Sequence, residues 1–140
     1  MPAGYRRHAR RSPLTDPWEP LFAREIAGAV QLALELREAH CNSRGFAHGG
    51  LIATLADNAM GMSAVRQALQ RSQAKEVSAK KASAVTVTLA LDFIDTAQVS
   101  DCIEFHPAVL KLGRTLAFVD CRVICGERLI ARGSATFRML

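Results

Sequence analysis

The chain has 140 residues, 49% of them apolar and 22% charged, with a formal net charge of +5. That length is one domain, and that composition excludes a disordered chain. Arg6, Arg7, Arg10 and Arg11 carry most of the excess charge, and no stripe of arginine and aromatics continues past them, which disfavours nucleic acid as a partner. Residues 1–15 read as a basic, disordered tail and 16–140 as a single domain. The opening also resembles an organelle transit peptide. Cys41, Cys102, Cys121 and Cys125 lack the spacing of a disulfide scaffold, no apolar leader precedes them, and the most apolar stretch, 49–65, contains an aspartate and three glycines. The expectation is a cytoplasmic chain that does not enter a membrane.

Pro13, Pro17 and Pro20 punctuate the end of the tail, and 21–28 reads as a short helix stopped by Gly28. Residues 29–38 alternate as a strand, with Val30, Leu32, Leu34 and Leu36 on one face. A loop leads into a helix from Gly49 to about Gln70. It is apolar nearly all round, the pattern of a buried helix. The polar run 71–83 reads as a surface connection. Four strands follow, near 84–93, 101–112, 114–125 and 128–138, with turns at Gly113 and Gly126-Glu127. In the first, Val85, Val87, Leu89, Leu91 and Phe93 occupy the apolar face, opposite Thr86, Thr88 and Asp92. The expected fold is α+β: a short N-terminal helix and an antiparallel sheet of about five strands, four of them a meander, wrapped around one long central helix.

Between Arg44 and Arg66 the one charged residue is Asp57, in the middle of the helix expected to be buried. A buried carboxylate without a partner costs several kcal/mol or titrates high, and such acids gather at functional sites. Capping or pairing with another segment is the structural alternative. Gly49-Gly50 opens the same helix, where free N–H groups and the positive end of the macrodipole favour an anion or an oxyanion. Asn42 and His48 flank that end. Gly49 and Asp57 lie eight residues apart, about 12 Å along a helix, so one substrate atom cannot touch both groups of one chain. If both act together, the acid must come from a second copy across a two-fold axis.

The run Asn42-x-x-Gly45-x-x-His48-Gly49-Gly50, followed by Asp57, resembles the signature of hotdog-fold acyl-CoA thioesterases of the phenylacetate-degradation (PaaI-like) type, over about 30–138. The stretches GRTLAFVDCRV and ERLIARGSATF and the Phe93-containing strand extend the likeness. The resemblance implies a hotdog fold, dimers joined edge to edge with a dimer of dimers as the larger form, and hydrolysis of an acyl-CoA to acid and coenzyme A. It makes Asp57 the base or nucleophile and the Gly49 N–H the group polarising the thioester oxygen. Asn42 would hold the thioester, His48 would play a supporting part, and Thr86 would assist the acid or position water. No metal or separate cofactor is implied, coenzyme A being part of the substrate. Arg114, Lys80, Lys81 and Arg132 are the candidates for its phosphates.

A hotdog hydratase or dehydratase and a non-catalytic acyl-CoA sensor are the competing readings. The first lacks a suitably arranged His/acid pair, and the second is disfavoured by the presence of Asn42, His48 and Asp57 together. Cys121 and Cys125, and likewise Cys102 and His106, stand four apart on strands, about 13 Å, too far to share a metal ion. His40 and Cys41 are neighbours in an extended loop and point apart. Trp18 and Phe22 read as packing residues.

Overall fold

Alternating apolar residues build most of the sheet, and two short turns fix its order. The computed structural model describes residues 1–74 and 81–140. Its elements are β1 (Arg6–Arg7), β2 (Phe22–Ile26), β3 (Ala29–Glu35), α1 (Gly49–Ala74), β4 (Ala84–Phe93), β5 (Cys102–Leu112), β6 (Leu116–Cys125) and β7 (Arg128–Met139), with one-turn 3-10 helices at Asp16–Trp18 and Glu38–His40. The strands form one antiparallel sheet in the order β1-β2-β3-β5-β6-β7-β4. The helix lies across it as expected of a hotdog fold. No helix among the described residues is long and apolar enough to cross a membrane.

Several expectations need correction. The segment 21–28 is strand, not helix. Ala27 and Gly28 both have positive φ, 50° and 78°, the geometry of a tight hairpin turn, and Ile26 pairs with Ala29 across it. Gly28 thus reverses a strand instead of ending a helix, and the sheet has seven strands instead of about five. The segment expected as a disordered tail contains β1, where Arg6 and Arg7 pair with Ala23 and Phe22, and the His8 N–H donates to the Leu21 carbonyl (2.8 Å). The meander is β5-β6-β7 alone. β4 joins on the far side of β7, because β3 already occupies the free edge of β5.

One face of α1 meets the sheet. Leu51, Ile52, Leu55, Ala56, Ala59, Met60, Ser63 and Ala64 are buried, packed with Leu32, Leu34, Ile103, Phe105, Val119, Val123 and Phe137. The small residues allow close approach. Ser63 Oγ donates to the Ala59 carbonyl (2.7 Å) and accepts the Val30 N–H (2.9 Å), tying α1 to β3. The opposite stripe, including Ala53, Thr54, Asp57, Asn58, Gly61, Met62 and Val65, is only half-buried. The helix is therefore not buried all round within one chain. Asp57 sits on its open side.

Candidate active site

Asp57 has a partner from β4: Thr86 Oγ1 donates to Asp57 Oδ1 over 2.7 Å. Strict alternation would turn Thr86 away from the apolar face of its strand. A β-bulge resolves the conflict. Thr86 pairs with Phe137, Thr88 with Thr136, and the register shifts between them, leaving Val87 as the extra residue. Beyond the bulge, Leu89 and Phe93 lie opposite the buried Ala135 and Ala131, while Thr86 lies opposite the buried Phe137. The extra residue changes the parity, so Thr86 shares the helix-facing side with Leu89, Leu91 and Phe93. The sequence placed Thr86 on the other face, and the unpartnered buried acid it suggested is half-buried and hydrogen-bonded.

The pair opens on a cavity of about 350 Å³, lined also by Met62, Val65 and Phe137 and by His8 and Arg10 of the N-terminal arm. Burial and the nearby Arg10 guanidinium hold His8 below the ordinary imidazole range, against the opposing pull of Glu19.

The second group of expected residues assembles at the start of α1. His48 caps the helix: its carbonyl accepts the Ile52 N–H (3.1 Å) and its Nδ1 accepts the Gly50 N–H (2.9 Å). Among the described residues the Gly49 N–H has no hydrogen-bond acceptor, which leaves it for a ligand. A Cβ at Gly49 would come within 3.3 Å of the Phe93 ring, so that ring packs against the bare backbone at this end. Asn42 uses Oδ1 to accept the Arg44 and Phe46 N–H groups (2.9 and 3.2 Å). The turn is closed by Gly45 at φ 79°. This fixes the loop and leaves the Asn42 amide donors available.

His40, weighed from the sequence only as a neighbour of Cys41, holds this loop to the N-terminal segment. It is 1% exposed. Its Nδ1 accepts the Arg37 N–H (2.9 Å), its Nε2–H donates to the Trp18 carbonyl (3.1 Å), and its own carbonyl accepts the His48 N–H (3.0 Å). Burial and the Arg37 charge push its pKa down, only partly offset by the bond to Trp18. A neutral histidine with this tautomer is a structural strut. Both ring nitrogens are engaged, so it is not poised as a base for Cys41, whose thiol burial pushes up.

The expected cation cluster is only partly drawn together. Lys80 lies outside the described residues. Lys81 is exposed beside Ala82 and Ser83 at the cavity, Arg114 is exposed in the β5–β6 turn, and Arg132 is tied to Asp92 (3.0 Å). A His/acid pair does occur: His106 Nε2 lies 3.2 Å from Glu104 Oε2. Alternation places both on the face of β5 away from the buried Ile103 and Phe105. Tyr5 and Arg24 also donate to Glu104 Oε2 (2.9 and 3.3 Å), so the pair is remote from α1 and fully engaged. Burial pushes Cys121 up to about 12. No cluster of three metal-ligating side chains occurs among the described residues.

Comparison with known proteins agrees with this architecture. A protein of Pseudomonas aeruginosa named as a candidate esterase is 40% identical over 140 residues, covering 99% of this chain and 97% of its own. Human acyl-coenzyme A thioesterase 13 is 32% identical over 111 residues, covering 78% of this chain and 71% of its own. A mutant of the phenylacetic acid degradation protein PaaI from Thermus thermophilus superimposes with a TM-score of 0.74 at 22% identity, over 91% of this chain and 98% of that one, a likeness of fold. Residues 44–131 match the family model described as the Thioesterase superfamily, and the chain is a member of that family.

Proposed function

We propose that the chain hydrolyses acyl-CoA thioesters to a free acid and coenzyme A, at sites shared between two copies. The observation that carries the reading is the Asp57–Thr86 pair, 2.7 Å apart at the wall of a cavity. Thr86 engages Oδ1, leaving Oδ2 to take a proton from water or to attack the acyl carbon. The Gly49 N–H polarises the thioester oxygen and takes up its developing charge, with the Asn42 amide beside it. Water adds to the carbonyl carbon, the C–S bond breaks, and the thiolate leaves with a proton. Because a thioester is already activated, a carboxylate and an oxyanion hole suffice without a metal or a separate cofactor.

The two halves lie about 12 Å apart along α1, so the acid of one copy works with the helix start of its partner. Two features support a homodimer. Among the described residues β4 is an unpaired edge with Val85, Val87 and Phe93 more than half exposed, a surface that a solitary soluble chain avoids. The open stripe of α1 is nearly uncharged. A dimer of dimers would extend the same scheme. Lys81 and Arg114 are the cations proposed for the coenzyme A phosphates; Arg132 has the weaker claim because it already holds Asp92. The reading is tested with Asp57→Asn on a panel of acyl-CoAs: hydrolysis is lost while the folded chain keeps its circular dichroism and oligomeric state. Full turnover in that variant would remove the proposal.

A further inference from the structure

The cavity beside Asp57 has a wall whose chemistry does not match an all-hydrocarbon acyl chain. Along α1 it follows one stripe from Asp57 through Gly61 and Met62 to Val65, about 12 Å. Leu21, Leu32 and Phe137 supply further apolar surface. The remaining wall is the N-terminal arm, which contributes His8, Arg10, Ser12 and Thr15.

That arm is held in place. The His8 N–H bonds to Leu21, and the Thr15 N–H donates to the Ser12 carbonyl (3.0 Å). Two of its arginines are committed elsewhere, Arg7 to Glu19 (3.9 Å) and Arg11 to Asp16 (3.2 Å). Arg10 is different: it lines the cavity, and among the described residues it has no ion-pair partner. Glu19 does not line the cavity. Among the described residues, Arg10 and Asp57 are therefore its charged lining residues, one cation and one anion.

Size indicates which part of the substrate enters. A volume of about 350 Å³ suits a short or medium acyl group, and coenzyme A with its nucleotide and pantetheine arm is too large for it. With the thioester carbon at Asp57, the group that continues into the cavity is the acyl chain. An unbranched hydrocarbon would satisfy Met62, Val65 and Phe137 but would offer no partner to Arg10 or the Ser12 hydroxyl; the Thr15 hydroxyl already donates to the Ser12 carbonyl (3.4 Å).

We propose, resting on the thioesterase reading, that the N-terminal arm is a specificity wall and that Arg10 selects acyl groups ending in a carboxylate, the coenzyme A monothioesters of short dicarboxylic acids. A terminal carboxylate accepts hydrogen bonds from the Arg10 guanidinium, with the Ser12 hydroxyl and the neutral His8 ring alongside. The apolar stripe carries the methylenes between. Two anions, the Asp57 carboxylate and the substrate terminus, then lie in one cavity, separated by the length of the chain.

The test compares kcat/KM for two thioesters of equal chain length, one ending in a carboxylate and one in a methyl group, in wild type, Arg10→Ala and Arg10→Lys. Wild type favours the carboxylate-ended substrate, and the ratio falls about ten-fold in Arg10→Ala, the scale of one charge-assisted hydrogen bond at an accessible site. Arg10→Lys, which keeps the charge without the fork, falls between. An unchanged ratio overturns the proposal, whether both substrates are unaffected or both slow equally, the latter result assigning Arg10 to the shared coenzyme A portion. The two readings fail differently: hydrolysis without selectivity sinks only the specificity wall, whereas absence of hydrolysis of any thioester in wild type sinks the thioesterase reading itself.

Discussion

Thr86 and Asp57 are 29 positions apart in the chain and 2.7 Å apart in space, and the chemistry proposed for the acid depends on that bond. Thr86→Val keeps the β-branched shape and removes the donor. It is expected to lower kcat/KM about ten-fold, while Thr86→Ser retains most of the activity. Equal rates for the valine variant and wild type would show that Thr86 merely fills space. His40 gives a second prediction, in stability. Its folded pKa is lowered by burial, so as pH falls through about 6.5 the unfolded chain takes up the proton first. In that window the unfolded state binds more protons, stability rises with pH, and one such group contributes a slope of at most about 1.4 kcal/mol per pH unit. His8 adds in the same direction. Urea unfolding of wild type should weaken between pH 7.5 and 5.5 more than that of His40→Asn, and parallel losses would exclude His40 as a source of the slope.

At the level of elements, what could be read from the sequence divides along a physical line. The stretch from Asn42 to Asp57 is local: a turn built on Asn42 and Gly45, a glycine-opened helix and an acid two turns in are all visible as spacing, and each occupies the expected element. β2 was hidden because Ala27 takes a positive φ that alanine rarely adopts, so nothing before Gly28 announced a hairpin. The facing of Thr86 was hidden because one extra residue, Val87, changes the parity of β4, and alternation cannot reveal where a bulge falls. The bulge yields its own prediction. Deleting Val87 makes the pairing with β7 regular while Thr86, Leu89, Leu91 and Phe93 all stay on the helix side. That variant should keep the Thr86–Asp57 pair and turnover within about ten-fold of wild type, and loss of all turnover in a folded chain would contradict the parity given to the bulge.

Over the whole molecule the decisive relation is between two ends of one helix. Gly49 and Asp57 sit on the same rigid rod, which cannot bend to bring them together. The open stripe of α1 and the exposed edge of β4 are the surfaces a second copy would cover. On the proposed mechanism each chain carries two half-sites, which act on one substrate only across two copies. Complementation tests this most directly. Asp57→Asn and Asn42→Ala chains, each inactive alone, are mixed under subunit exchange that is verified by native mass spectrometry of differently tagged copies. A heterodimer then holds one site with both mutations and one with neither, so an equal mixture recovers about a quarter of wild-type turnover. Activity no greater than that of the parents, with heterodimers present, would contradict a site shared between subunits.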